Sequence, residues 1–188
     1  MTRVLGISGS LRRDSHNTNL LRAAAEAVGP DVEFELYEGL KEIPPYDEDD
    51  DVHPRPAAVA LLNSAIADAD AVLFSTPEYN SSIPGQLKNA IDWVSRPVAT
   101  NVLRNKPVAV VGASTGAFGA VWAQAELRRV LAALGARVLD LELPVGQAHT
   151  RFEDGALTDD EIRARLAEAI ETRADEVKAN EEAKVHAR

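Results

Sequence analysis

The sequence predicts an α/β fold: a doubly wound, five-stranded parallel sheet in the order 2-1-3-4-5, with helices on both faces. Three patterns carry the prediction. Strand-like apolar runs alternate with helical stretches of about 10–15 residues, as in chains of β-α-β units. Two of the runs, Ala71–Ser75 and Pro107–Gly112, are apolar without interruption, as strands covered on both faces are. A third, Val32-Glu-Phe-Glu-Leu-Tyr37, alternates apolar and acidic residues, as a strand near a sheet edge does.

The elements follow in order. Arg3–Ser8 reads as a short buried strand through Val4, Leu5 and Ile7. Asn19–Val28 places Leu20, Leu21, Ala24 and Val28 at helical spacing, and Gly29-Pro30 ends it. After the alternating strand, Ala57–Ala67 is helical through Leu61, Leu62 and Ile66. The run Ala71–Ser75 leads to a helix over Gln86–Val94, entered through Pro84-Gly85. Pro107–Gly112 leads to a helix over Ala120–Leu134, closed by Gly135. Ala136–Leu143 supplies the last strand, and Asp159 to about Val177 the last helix, with Ile162, Leu166, Ile170 and Val177 on one face. Right-handed crossovers leave few ways to arrange five such strands, and they favour the flavodoxin-like order. A single domain over residues 1–177 with a polar tail at 178–188 is expected.

Composition narrows the function. The chain has 188 residues, 45% of them apolar, which suffices for a full core. The absence of cysteine excludes disulfides, thiolate metal sites and cysteine nucleophiles. The four histidines are scattered and nothing pairs them as metal ligands. The acidic run Asp47–Asp51 reads as a solvated loop; it lacks the glycine of a calcium loop, so no metal is expected. A formal net charge of −10 repels a phosphate backbone, so nucleic acid is not an expected partner. No signal peptide and no membrane-length apolar run are visible, so a cytoplasmic protein without a membrane partner is expected.

In an open α/β sheet, ligands bind beyond the carboxyl ends of the strands, at the switch point between strands 1 and 3. The loops after strands 1, 3 and 4 are therefore the informative ones. The first, Gly6-Ile-Ser-Gly-Ser-Leu-Arg-Arg-Asp-Ser-His-Asn-Thr-Asn19, offers Ser8, Ser10, Ser15 and Thr18 as hydroxyl donors and Arg12 as a fork matching phosphate, at a helix N-terminus. It lacks the Gly-Lys-Ser/Thr ending of a nucleotide-binding P-loop, and Leu11 stands where the last glycine of a dinucleotide fingerprint would. A phosphomonoester fits it better. The second, from Thr76 to Trp93, sets Glu78, Tyr79 and Asn80 between Pro77 and Pro84. Such a stiff loop can present backbone groups to the edge of a planar heterocycle, with Tyr79 beside it; Glu78 is also a candidate general base. The third, Gly112-Ala-Ser-Thr-Gly-Ala-Phe-Gly119, carries Ser114 and Thr115 among its glycines. A phosphate cradle at one end and an aromatic-bearing loop at the other describe a flat, phosphorylated cofactor, and FMN fits.

From about Val4 to Leu143 the chain resembles the NADPH-dependent FMN reductase family of the flavodoxin superfamily, which includes chromate and quinone reductases. The similarity lies in Gly9-Ser-Leu-Arg12 with Ser15 and Asn17, in Pro77-Glu-Tyr-Asn80 continuing through Ser82-Ile-Pro-Gly85 to Leu87-Lys-Asn-Ala-Ile-Asp-Trp93, and in Gly112-x-Ser-x-Gly116 with Gln124, Leu127, Arg128 and Leu131. The resemblance implies that Ser10, Arg12, Ser15, Asn17 and Thr18 hold the FMN phosphate. It implies that Pro77, Glu78, Tyr79 and Asn80 line the isoalloxazine, and that Ser114 and Gly116 close its other side. The chain departs from the family pattern at Ser81, often glycine, and at Trp122, often arginine; Trp122 is a candidate for packing in a subunit interface.

The expected activity is hydride transfer from NADPH or NADH to bound FMN, and from there to a quinone, flavin or similar small acceptor. The cofactor carries that chemistry, so no catalytic side chain is assigned. A flavodoxin-type one-electron carrier serving a protein partner is the alternative, and a flavin-free binding module a third. The resemblance also implies a homodimer or homotetramer, with the 44–56 loop and the helix around Trp93 as candidate contacts.

Overall fold

The computed structural model describes residues 1–172. A parallel sheet runs in the order β2-β1-β3-β4-β5. Its strands are β1 (Thr2–Ser8), β2 (Val32–Tyr37), β3 (Ala71–Ser75), β4 (Pro107–Ala113) and β5 (Arg137–Val138). The helices are α1 (His16–Ala27), α2 (Ala57–Asp68), α3 (Gly85–Val94), α4 (Val121–Ala133) and α5, residues 160–172. The extension of α5 to Val177 and the tail at 178–188 lie outside the described residues.

Strand periodicity builds a core on each face of the sheet. Leu5, Ile7, Val72, Phe74, Val108 and Val110 point to one side, against α2, α3 and α4. Val4, Leu73, Ala109 and Val111 point to the other, against Leu20 and Leu21 of α1 and Leu166 and Ile170 of α5. β3 and β4 are buried at every residue, whereas in edge strand β2 both glutamates are exposed and the other four residues are only partly buried. The continuous and alternating runs of the sequence thus become central and edge strands.

Two boundaries differ from the sequence reading. α1 begins at His16, three residues before Asn19, because the Ser15 hydroxyl accepts the N–H groups of Asn17 and Thr18 and caps the helix there. The last strand is broken. Arg137–Val138 pairs with the start of β4 and a second segment, β6 (Pro144–Val145), with its end. Between them the Leu141 N–H turns back to the Leu139 carbonyl at 2.9 Å, and Arg128 of α4 takes the Leu141 carbonyl at 3.0 Å. A short hairpin, β7 (Phe152–Glu153) and β8 (Ala156–Leu157), then turns through Asp154 and Gly155, both at positive φ. It lies against the start of α1, with the Phe152 ring 5.4 Å from that of His16.

α3 faces inward at Trp93, which is fully buried; its indole N–H donates to the Pro44 carbonyl at 2.9 Å. Trp93 is therefore a core residue, and a subunit contact through this helix would have to use its outer face, where Lys88 and Asp92 are partly exposed. Gln86 and Asn89 of the same helix hold the carbonyls of Leu40, Ile43 and Pro44, fixing the segment after β2.

Candidate functional site

The three chemical loops meet at the carboxyl edge of β1, β3 and β4, and side chains from each lock them together. The centre of the lock is Asn17. Its amide donates to the Ala113 carbonyl at 2.9 Å, and its Oδ1 accepts both the Ala113 N–H and the Ser75 hydroxyl, each at 2.9 Å. Asn17, which the resemblance places among the phosphate ligands, is a buried staple between the loops: its acceptor oxygen is committed inside the protein and only 3% of the residue is exposed. Gly9 makes the second join. Its N–H donates to the Ser75 carbonyl, and a Cβ there would stand 2.8 Å from Leu87 Cδ2 and 3.4 Å from Pro77. A side chain there would have to displace the end of Leu87.

Within the first loop, Ser8 Oγ accepts the Thr18 hydroxyl at 3.0 Å and the Ser10 N–H at 3.3 Å, while Ser10 Oγ accepts the Arg12 N–H. Arg12 is folded back to donate to the Asp14 carbonyl at 2.6 Å. The N–H groups of Leu11, Arg13 and Asp14 have no acceptor among the described residues. Burial holds the His16 imidazole below its usual pKa, and the charges of Arg12 and His149 add to the effect. That shift favours the neutral imidazole, so the positive charge before α1 is that of Arg12 and Arg13, beside one acidic residue, Asp14, in a chain of net charge −10. Free N–H groups, a helix N-terminus and the two arginines are a donor set suited to a phosphate dianion, so the residues present fit the phosphate end of FMN.

The second loop is a tight hairpin. Tyr79 and Ser82 exchange backbone hydrogen bonds at 3.0 and 3.2 Å, with Asn80 at φ 54° and Ser81 at φ 61° between them. Both central residues are left-handed, the condition for a two-residue type I′ turn. Tyr79 stands half exposed on the rim. The Glu78 carboxylate is turned toward α4. It accepts the N–H groups of Trp122 and Ala123, both at 3.0 Å, at the start of α4. That helix has no capping side chain of its own, since Ala120 occupies the cap position. Ser82 adds a 2.7 Å bond to Glu126 of α4.

The third loop rests on residues 144–148. Ser114 gives its N–H to Val145 and its carbonyl accepts from Ala148, while the Gly116 carbonyl accepts from Gln147. A Cβ on Gly146 would sit 2.3 Å from the Ala117 carbonyl oxygen. The second strand segment, missed in the sequence, is thus the floor under Ser114 and Gly116. Beyond it, Phe118 and Trp122 lie edge to face at 5.1 Å, and both are exposed. Among the described residues no group of three or more histidine or acidic side chains is arranged to hold a metal.

The sequence pattern of the NADPH-dependent FMN reductases matches residues 2–150. The chain belongs to that family. It is 42% identical over 171 residues to an NAD(P)H-dependent FMN reductase of Pseudomonas aeruginosa, covering 90% of this chain and 91% of the relative. It is 37% identical to a quinone reductase of Pseudomonas putida, over 93% and 94% of the two chains. Among solved structures, the flavoenzyme NAD(P)H:(acceptor) oxidoreductase FerB of Paracoccus denitrificans superimposes with a TM-score of 0.83 at 35% identity, over 95% of this chain and 98% of that one. Membership makes this chain an NAD(P)H-dependent flavin oxidoreductase, with FMN as cofactor and NAD(P)H as co-substrate. The flavodoxin-like sheet predicted from the sequence agrees with that placement.

Proposed function

We propose that this reductase passes reducing equivalents from NAD(P)H to a quinone, with FMN seated across the three loops. Bound FMN supplies the redox centre; the chain binds, orients and shields it. Ser10, Arg12, Ser15 and Thr18, with the free N–H groups after Ser10, hold the phosphate. Asn17 acts beneath them by tying that loop to Ser75 and Ala113. Pro77, Glu78, Tyr79 and Asn80 border the flat ring system on one side through their backbone, and Ser114 and Gly116 border it on the other. The reading rests above all on the Asn17 staple, which joins the phosphate-type loop to both ring-side strands through three hydrogen bonds. Quinone as acceptor is supported by relatives that bear the name quinone reductase, among them those of Pseudomonas putida and Escherichia coli.

A homo-oligomer in the cytoplasm completes the proposal. Phe118 and Trp122 are 65% and 50% exposed side by side, and Val52 in the 44–56 loop is 61% exposed, which supports subunit contacts at these places. No helix among the described residues is long and apolar enough to cross a membrane.

The test is direct. Purified protein should carry a flavin absorbance spectrum that bleaches on anaerobic NADPH titration and recovers with a quinone, at a rate well above free FMN. A colourless protein that neither binds FMN nor exceeds free flavin would sink the reading. A one-chain mass by light scattering would remove its oligomeric part alone.

A further inference from the structure

His16 is the first residue of α1, and its backbone N–H has no acceptor among the described residues. The residue therefore stands among the free donors at the helix start. Its ring lies against Phe152 of the hairpin, centroids 5.4 Å apart. The ring Nδ1 is buried and has no hydrogen-bond partner among the described residues. A buried polar atom left in this way costs stability unless a group from outside the chain completes it.

The surroundings keep this imidazole neutral. Burial is the largest influence; the Arg12 guanidinium, from the loop before α1, and His149, from the turn at Ala148–Thr150, add repulsion. The partial positive charge of the helix N-terminus also disfavours a cation there. The remaining charges around the ring do not offset these effects. Arg13 and Asp14 in the loop are exposed, as are Glu153 and Asp154 on the hairpin, and Arg151 is paired with Asp159. A phosphate dianion bound at the helix start reverses the balance, because its two negative charges favour the protonated ring. The neutral ring has one nitrogen that can only accept, whereas the charged ring donates from both, as an acceptor-rich phosphate requires.

We infer that His16 takes up a proton from solvent when the flavin phosphate binds at the start of α1, so that falling pH tightens the hold on FMN. The inference rests on the seating of FMN proposed above. Without phosphate the ring gives up its proton below the usual histidine range; with phosphate it keeps the proton to higher pH. Between the two midpoints binding consumes a proton, and rising pH opposes it. The phosphate's own second proton, lost at about pH 6, produces the opposite trend. A variant that meets the same phosphate without the imidazole removes that contribution.

The probes are FMN and riboflavin, which lacks the phosphate, titrated into the flavin-free protein from about pH 6 to pH 8 and followed by flavin fluorescence. The variant is His16→Phe, which keeps a ring against Phe152. The FMN affinity of the unmodified protein, divided by that of the variant, should fall about tenfold across this range, since a charge-assisted hydrogen bond is worth about that. Calorimetry at neutral pH, in buffers of different ionisation heat, should show proton uptake with FMN and none with riboflavin. The uptake should vanish in His16→Phe and persist in His149→Gln. A cooperative thermal transition shows that each variant is folded. Parallel pH profiles for the unmodified protein and His16→Phe, or an uptake that survives in that variant, overturn the inference. Arg12→Gln tests the underlying seating by itself: it should weaken FMN at every pH and leave riboflavin unchanged. If it does so while the two profiles stay parallel, the phosphate site stands and this inference falls. If neither variant alters FMN binding, the phosphate is not held at this loop and both fall.

Discussion

The loop after β1 is held from beneath, by one buried amide, while the loop after β3 is clasped from outside, by two carboxylates. Asn17 reaches down from the start of α1 to Ser75 and Ala113. Glu78 and Glu126 join residues 76–82 to α4 near its start and along its side. The difference has an energetic meaning. A buried amide has no water to replace its partners, so losing it leaves several polar groups unsatisfied at once. A half-exposed carboxylate cap can be replaced in part by solvent. The loop after β1 is thus fixed to the sheet strands β3 and β4. The loop after β3 is set relative to α4.

The sharpest way to break this contrast is Asn17→Ala. It strands the Ala113 carbonyl and N–H and the Ser75 hydroxyl in the interior. At about 1–3 kcal/mol per abandoned group, with some relaxation, the loss of stability should be about 3–4 kcal/mol. Urea denaturation of the flavin-free protein measures it without interference from ligand binding. A loss below about 1 kcal/mol would show that the amide is not the staple described here.

A smaller effect is expected from Glu78→Ala, which uncaps α4. Loss of a cap with its favourable charge at a helix N-terminus is worth about 1–2 kcal/mol. Glu78→Gln keeps an acceptor oxygen and should forfeit only the charge contribution, about 0.5 kcal/mol. Comparing the two by thermal unfolding separates hydrogen bonding from helix electrostatics. If the Gln variant were as unstable as the Ala variant, the carboxylate would be acting through its charge alone.

The contrast also explains what could be read in advance. β2, β3 and β4 follow from local periodicity, because an edge strand and a central strand carry different patterns along the chain. The loops were recognisable by residue type: hydroxyls and arginine after β1, a proline-bounded aromatic stretch after β3. The roles of Asn17 and Glu78 were not, since their partners lie 58 to 96 and 44 to 45 positions away. Polar side chains in a ligand loop look alike in sequence whether they face a ligand or another loop. The break after Val138 was hidden for a similar reason. Leu139-Asp-Leu-Glu-Leu143 alternates as a strand does, and only the capture of the Leu141 carbonyl by Arg128 shows otherwise. The hairpin at 152–157 did have a local signal, the Asp154-Gly155 pair that favours a two-residue turn.

The smallest effect tests the turn at Asn80 and Ser81 itself. Ser81 sits at φ 61°, where an ordinary side chain crowds its own backbone, and Asn80 before it is already a residue that tolerates this region. Ser81→Gly should relieve about 1 kcal/mol of strain. Glycine's greater freedom in the unfolded chain returns about half of that. A net gain of about 0.5 kcal/mol corresponds to a rise in Tm of about 1–2 °C for a chain of this size. The turn's two backbone hydrogen bonds involve Tyr79 and Ser82 only, so they should persist, as should the Ser82–Glu126 bond. A fall in Tm would mean that the Ser81 side chain supports the turn rather than straining it. The serine found where the family often has glycine would then be a stabilising feature of this chain.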